Sequence, residues 1–174
     1  YDVADLDLPV YSVLVPMFKE QAVLPDLVEA ISKLDYPAAK LDCMLVLEAS
    51  DRETILAARA LALPPFIRIV VVPDGLPRTK PKALNYALQL ARGEYVCVYD
   101  AEDVPEPRQL RKAAAAFATG GAQVVCVQAR LAIHNTRASW LTRQFALEYS
   151  ALFSGLLPAL THFGFPVPLG GTSN

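Results

Sequence analysis

This sequence of 174 residues contains no Cys-x-x-Cys pair, no glycine-rich phosphate loop and no long apolar run. Each absence excludes a class of function. The three cysteines, Cys43, Cys97 and Cys126, lie inside apolar runs that read as strands, with no histidine near them in sequence. They read as small buried thiols of a reducing compartment rather than as a metal or redox site. No uninterrupted apolar run reaches about 18 residues, so no transmembrane helix is read, and no stretch reads as a signal peptide. Neither G-x-G-x-x-G nor G-x-x-x-x-G-K-[ST] occurs, which excludes the dinucleotide fingerprint and the P-loop. The formal net charge of −2 provides no broad basic field and argues against nucleic acid as a partner.

What is present is a globular composition, 53% hydrophobic and 20% charged, long enough for one domain with a real core. Apolar runs alternate with helical patterns. Strands are expected at Val10–Pro16, Leu41–Glu48, Phe66–Val72, Glu94–Asp100 and Ala122–Ile133. Helices are expected at Glu20–Leu34, Ser50–Leu63, Thr79–Ala91 and Pro107–Ala118. Ser50 or Asp51 would cap the second helix and Thr79 the third, with Pro81 in its first turn. Such alternation with valine-rich strands predicts an α/β fold, a mostly parallel sheet with helices on both faces. Ligands of such sheets bind beyond the carboxyl ends of the strands. The informative residues are therefore Pro16–Glu20, Glu48–Asp51, Asp74–Lys82 and Asp100–Asp103. The tail, Ser139–Leu160, reads as a helix with a broad apolar face, broken near Pro158. It would either pack on the sheet or lie at a membrane surface.

The stretch Tyr95–Pro107, YVCVYDAEDVPEP, ends a buried strand in three carboxylates within four positions. Like charges this close need a partner. Side chains i and i+2 of an extended segment share a side, which joins Asp100 with Glu102. Two hard oxygen ligands suit Mg2+ or Mn2+, which keep their other positions for water and substrate phosphates. The plainer reading is a solvated turn in which Glu102 or Asp103 caps the helix near Pro107. Lys80 and Lys82 lie where a phosphate could also use free N–H groups at a helix start, or they are simply solvated there.

Several segments together resemble one family. SVLVPMFKE resembles the opening strand and Pro-x-x-x-Glu turn of family 2 glycosyltransferases, the GT-A group that includes cellulose and hyaluronan synthases. KPKALNYAL resembles that family's Lys-Ala-x-x-Leu/Asn helix start, and VYDAED its Asp-x-Asp motif. VCVQARL and PLGGTSN resemble stretches of a bacterial membrane-bound branch. The resemblance runs from about Val10 to Asn174. It implies a Rossmann-like GT-A domain and inverting transfer of a sugar from a nucleotide diphosphate donor, often UDP-linked, to a glycan or lipid acceptor. The setting would be the cytoplasmic face of a bacterial inner membrane. By position, Asp100 and Glu102 would hold Mg2+ or Mn2+ on the donor diphosphate. Pro16, Glu20, Glu48, Lys82 and Asp100 would form the nucleotide site, with Glu20 and Glu48 lining the nucleoside pocket. Glu48 would bond the base, Lys82 would face base or phosphates, and Gly170–Asn174 would border the sugar or acceptor.

The sequence departs from the pattern in three ways. Glu102 replaces the second Asp of Asp-x-Asp. LEASD replaces the usual Asp-Asp-Gly turn, which leaves Glu48 and Asp51 as alternative base readers. The Thr-Glu-Asp base, the Gln-x-x-Arg-Trp motif and the membrane helices are expected beyond Asn174. Residues 1–174 are therefore read as a single nucleotide-sugar-binding domain, truncated at its C-terminal side and with little transfer activity alone. An inverting transfer needs a general base, and His134 and His162 read as structural or exposed rather than as substitutes. Two other readings are a nucleotidyltransferase, against which the glycine-free VPMFKE turn counts, and a non-catalytic scaffold of the same fold.

Overall fold

The computed structural model describes residues 3–77, 79–131, 136 and 139–169. The chain falls into two compact units, Tyr1–Val127 and Gln128–Asn174. The first unit holds β1 (Tyr11–Met17), α1 (Leu24–Ser32), β2 (Leu41–Glu48), α2 (Arg52–Ala60), β3 (Ile67–Val72), α3 (Lys80–Leu88), β4 (Tyr95–Val98) and α4 (Gln109–Gly120). All strand pairings are parallel, in the order β3-β2-β1-β4.

Alternation along the strands explains the two cores. Tyr11, Val13 and Val15 of β1 share one face with Cys43, Leu45 and Leu47 of β2, and these pack with Leu24, Leu27 and Ile31 of α1, Ala58 of α2 and Leu110 of α4. Leu14, Met44, Val46, Val70 and Val72 point the other way, onto Ala83 and Ala87 of α3. Every residue of β2 is buried, as a central parallel strand covered on both faces requires. Each fully buried Leu or Val contributes roughly 1.5–3 kcal/mol over its exposed state.

At the amino ends of the strands a buried polar network closes the sheet. Ser12 Oγ donates to Asp42 Oδ2 at 3.0 Å, and Arg68 Nε donates to Asp42 Oδ1 at 2.7 Å. The Arg92 and Gly93 N–H groups donate to Ser12 Oγ at 3.0 and 2.9 Å. Gly93 is required there because a Cβ would stand 2.4 Å from Ser12 N and 2.7 Å from the Val10 carbonyl oxygen.

Four expectations are corrected or refined. Residues 122–131 form no strand, and Val125 is exposed; residues 132 and 133 lie outside the described residues. A β-branched run becomes a strand only where a ladder receives its backbone groups, and among the described residues none pairs with this segment. Cys126 is accordingly exposed, whereas Cys43 and Cys97 are buried, their thiols pushed up to about 12 chiefly by burial. Asp51, not Ser50, caps α2, while Thr79 stands at the N-cap of α3 without a side-chain bond.

In the second unit, α5 (Trp140–Ala151) runs through a π-helical turn, Leu152–Leu156, into α6 (Leu157–His162). The backbone stays helical on both sides of that turn. Pro158 therefore does not break the helix: it falls in the first turn of α6, and the wider turn before it absorbs the hydrogen bond that proline cannot make. Among the described residues no helix is long and apolar enough to cross a membrane.

Candidate functional site

The sheet order places a topological switch between β1 and β4, because β1, β2 and β3 progress one way and β4 lies on the other side of β1. A crevice opens at such a point beyond the carboxyl ends. Here it is a cavity of about 770 Å³ lined by Pro16–Phe18 and Glu20 after β1, Val46 and Glu48 of β2, Thr79, Lys80 and Ala83 of α3, and Asp100–Glu102 after β4. Five of the expected site residues, Pro16, Glu20, Glu48, Asp100 and Glu102, thus meet in one cavity.

The turn after β4 sorts the acidic cluster. Tyr99 is buried in the core shared by α1, α2 and α4, and the turn that follows sets Asp100 and Glu102 at the cavity. Asp103 closes its own turn: its Oδ2 accepts from the Asp100 N–H at 2.8 Å, and its N–H donates to the Asp100 carbonyl at 3.1 Å. The expected cap on the following helix is not made, since Arg108 stands at the N-cap of α4. Asp100 is paired with the Lys80 ammonium. Glu20 feels the same charge. Burial raises its carboxyl above the usual carboxylate range, the Phe18 N–H pulls it down, and Glu102 and Asp100 push it up again.

The loop after β1 is held from β2. Lys19 adopts a left-handed backbone, φ 58°, uncommon outside glycine. Its N–H donates to Asp51 Oδ2 at 2.5 Å, while Asp51 Oδ1 accepts from Thr54 N–H at 3.2 Å. Burial raises the Asp51 carboxyl, but these hydrogen bonds outweigh it and hold it below its ordinary value. With both oxygens engaged by backbone, Asp51 positions the loop, and Glu48 is the carboxylate that faces the cavity.

Glu48 ends β2 at 7% exposure, and its Oε2 is buried without a hydrogen bond. The Lys82 ammonium lies 3.5 Å away. Lys82 does not line the cavity. It donates to the carbonyls of Pro73 and Gly75 at 3.1 and 2.9 Å, tying the β3–α3 loop to its own helix. Phe18, Thr79 and Ala83 also line the cavity; the first two lie within the stretches flagged from sequence without being singled out, and Ala83 lies outside them. Phe18 carried a signal, being a large apolar residue in a loop directly after a strand. Ala83 carried none, because its place depends on how α3 crosses the sheet. Gly170–Asn174 and His134 lie outside the described residues. His162 ends α6 with its ring edge-on to Phe163, centroids 5.1 Å apart.

Among the described residues no three His, Cys, Asp or Glu side chains gather to hold a metal by themselves. The donor set nevertheless fits a hard divalent cation that brings phosphate oxygens with it, which needs only one or two protein carboxylates. Asp100 and Glu102 would supply those, and their charge raises Glu20.

A parallel α/β sheet whose switch-point cavity is lined by carboxylates, a lysine and apolar side chains defines the class of fold and site. Residues 9–171 match the family model described as glycosyltransferase like family 2, and the chain belongs to that family. It is 32% identical over 102 residues to the "Probable glycosyltransferase YdaM" of Bacillus subtilis (strain 168), covering 58% of this chain and 24% of that protein. Among solved structures it is similar to the mannosyltransferase PcManGT of Pyrobaculum calidifontis, in complex with GDP-Man and Mn2+. There the TM-score is 0.58 at 31% identity, over 75% of this chain and 39% of that one. S. aureus TarS 1-349 shares the fold, with a TM-score of 0.51 at 18% identity over 73% of this chain and 43% of that one. The chain thus spans less than half the length of each of these proteins.

Proposed function

We propose that these residues form the donor-binding core of an inverting glycosyltransferase that uses a nucleoside diphosphate sugar. The observation that carries the reading is the convergence of Glu20, Glu48, Asp100 and Glu102 with Lys80 in one cavity at the switch point. A related mannosyltransferase solved with GDP-Man and Mn2+ supports both donor class and metal.

In this reading Asp100 and Glu102 hold Mg2+ or Mn2+ against the donor diphosphate. The cation, when bound, neutralises charge on the departing diphosphate. Lys80 exchanges its pairing with Asp100 for the phosphates, adding a second positive charge at the leaving group. Pro16, Val46 and Ala83 form apolar walls for the base, Glu48 meets the base edge, and Lys82 steadies the loop beside it. Uridine is the donor base that the sequence resemblance implies. The proton-accepting base of the transfer is supplied from outside residues 1–174. The acceptor is a glycan or a lipid, and the parent protein works at the cytoplasmic face of a bacterial membrane in polysaccharide synthesis, in a branch like the cellulose and hyaluronan synthases.

Calorimetric titration of nucleoside diphosphates, with and without Mn2+, tests the core of this. Manganese-dependent binding that disappears in Asp100→Ala is the expected result. Binding indifferent to both metal and mutation would refute the assigned metal site, and no binding to the full-length protein would favour a scaffold.

A further inference from the structure

We infer that Lys80 is an internal counter-ion that keeps the place of the divalent cation, so that metal and donor diphosphate bind as a pair and neither binds well alone; this rests on the cavity being the donor site. The Lys80 ammonium pairs with Asp100, one of the two carboxylates assigned to the cation. The two side chains are 38% and 35% exposed. An ion pair that water reaches is weak and exchanges readily, so a stronger partner for either member can draw it away.

The charges of the cavity make that exchange conditional. Its lining carries the carboxylates of Glu20, Glu48, Asp100 and Glu102 and the ammonium of Lys80. Glu48 is answered from behind by the Lys82 ammonium, 3.5 Å from its Oε2. Lys80 is left among the other three. The Glu20 carboxyl is raised by burial, lowered by the Phe18 N–H, raised by Glu102 and Asp100, and lowered by Lys80, so Lys80 acts within the cluster and not on Asp100 alone. A diphosphate carries several negative charges and is repelled by such a cluster, which one ammonium does not offset. A bare divalent cation is attracted, but it meets an Asp100 already engaged and must displace a like charge from it. With both present, Asp100 and Glu102 pass to the cation and Lys80 passes to the diphosphate, and each charge faces one of opposite sign. Such coupling is reciprocal: the factor by which diphosphate tightens metal is the factor by which metal tightens diphosphate.

Helix stability does not account for a lysine at this position. Lys80 and Lys82 stand in the first turn of α3, which has no acidic residue and no side-chain bond from Thr79. The helix dipole favours negative charge there. Lys82 is used by the loop before it, through the Pro73 and Gly75 carbonyls, and Lys80 by Asp100. A diphosphate that drew Lys80 away would meet the same helix end with the favourable sign.

The test is titration of Mn2+ alone, of UDP or GDP alone, and of each nucleotide with Mn2+, into the full-length protein and its Lys80→Met and Lys80→Arg variants. Free and bound Mn2+ are counted by electron paramagnetic resonance. In the parent protein Mn2+ is expected to bind at least about tenfold tighter with the preferred nucleotide than alone. Lys80→Met should move two affinities in opposite directions, Mn2+ alone about tenfold tighter and nucleotide with Mn2+ about tenfold weaker. Lys80→Arg keeps the charge and should keep the parent's coupling. A purely structural lysine would weaken both affinities or neither. Mn2+ alone binding no tighter to Lys80→Met than to the parent would overturn the counter-ion role, as would parent affinities for metal and nucleotide that are independent of each other. Either result leaves the donor-site reading intact where Asp100→Ala still abolishes manganese-dependent nucleotide binding. No binding of nucleotide in any combination would overturn both readings together. An unchanged urea midpoint for Lys80→Met separates these shifts from a lost fold.

Discussion

At the scale of single residues, Asp51 and Glu48 show how similar side chains three positions apart acquire different roles. Asp51 spends both oxygens on backbone donors, the Lys19 and Thr54 N–H groups, so its work is to cap α2 and hold Lys19 at φ 58°. Replacing an N-cap Asp by Ala costs about 0.5–2 kcal/mol. Asp51→Ala also releases the Lys19 clamp, and a loss near the upper end, about 2 kcal/mol, is expected from urea unfolding. It should weaken nucleotide binding as well, through the Phe18–Glu20 loop. Asp51→Asn, which keeps a capping oxygen, should lose less. Equal stability of Asp51→Ala and the parent chain would show that the loop holds itself. None of this division of labour was legible in LEASD. There the two carboxylates were interchangeable candidates, because only the end of β2 decides which one points between the strands and which turns back.

At the scale of elements, the strands and helices of the first unit follow from local pattern, with one exception. β1, β2 and β3 lie within a residue of their expected bounds because near-continuous apolar runs have one stable use in a sheet covered on both faces. Residues 122–131 have the same composition and no ladder, since strand formation is settled by a partner and not by the run itself. The α3–β4 connection carries its own prediction. A Cβ at Gly93 would meet backbone atoms of Ser12, Val10 and Tyr95 within 2.7 Å, and backbone in a sheet has little room to shift. Gly93→Ala should destabilise the unit by about 1–3 kcal/mol, seen as a lower unfolding midpoint. It should also disturb the Ser12–Asp42 network that Gly93 and Arg92 complete. An unchanged midpoint would mean that the connection moves freely.

At the scale of the whole molecule, the two buried aspartates set the response to acid. Burial raises Asp42, but Arg68, the Arg92 N–H and Ser12 pull it below its ordinary value, and Asp51 behaves alike. Their folded forms bind protons less readily than the unfolded chain does. Their stabilisation is therefore complete above the unfolded value near 3.8 and is lost as pH falls through the lower folded values. Glu20, raised by burial and by Glu102 and Asp100, acts in the opposite sense, since acid relieves its cost. With two aspartates acting in one sense against the single Glu20, urea midpoints should hold steady down to about pH 5 and fall below about pH 4. Asp42→Asn should shallow that fall, and a midpoint that rose on acidification would contradict the assignment.

The sequence by itself determined the order of strands and helices from β1 to α4, the parallel sheet and the acidic turn after β4, because hydrophobic period and strand ends are local properties of the chain. It also placed Pro16, Glu20, Glu48, Asp100 and Glu102 at strand ends, where such folds bind ligands. Only the tertiary structure decided that Asp103 closes a turn, that Lys82 ties a loop and Lys80 meets Asp100, and that Glu48 Oε2 is buried beside the Lys82 ammonium. Those outcomes depend on distances between segments far apart in sequence, which are set by the packing of α3 across the sheet and the crossing from β3 to β4.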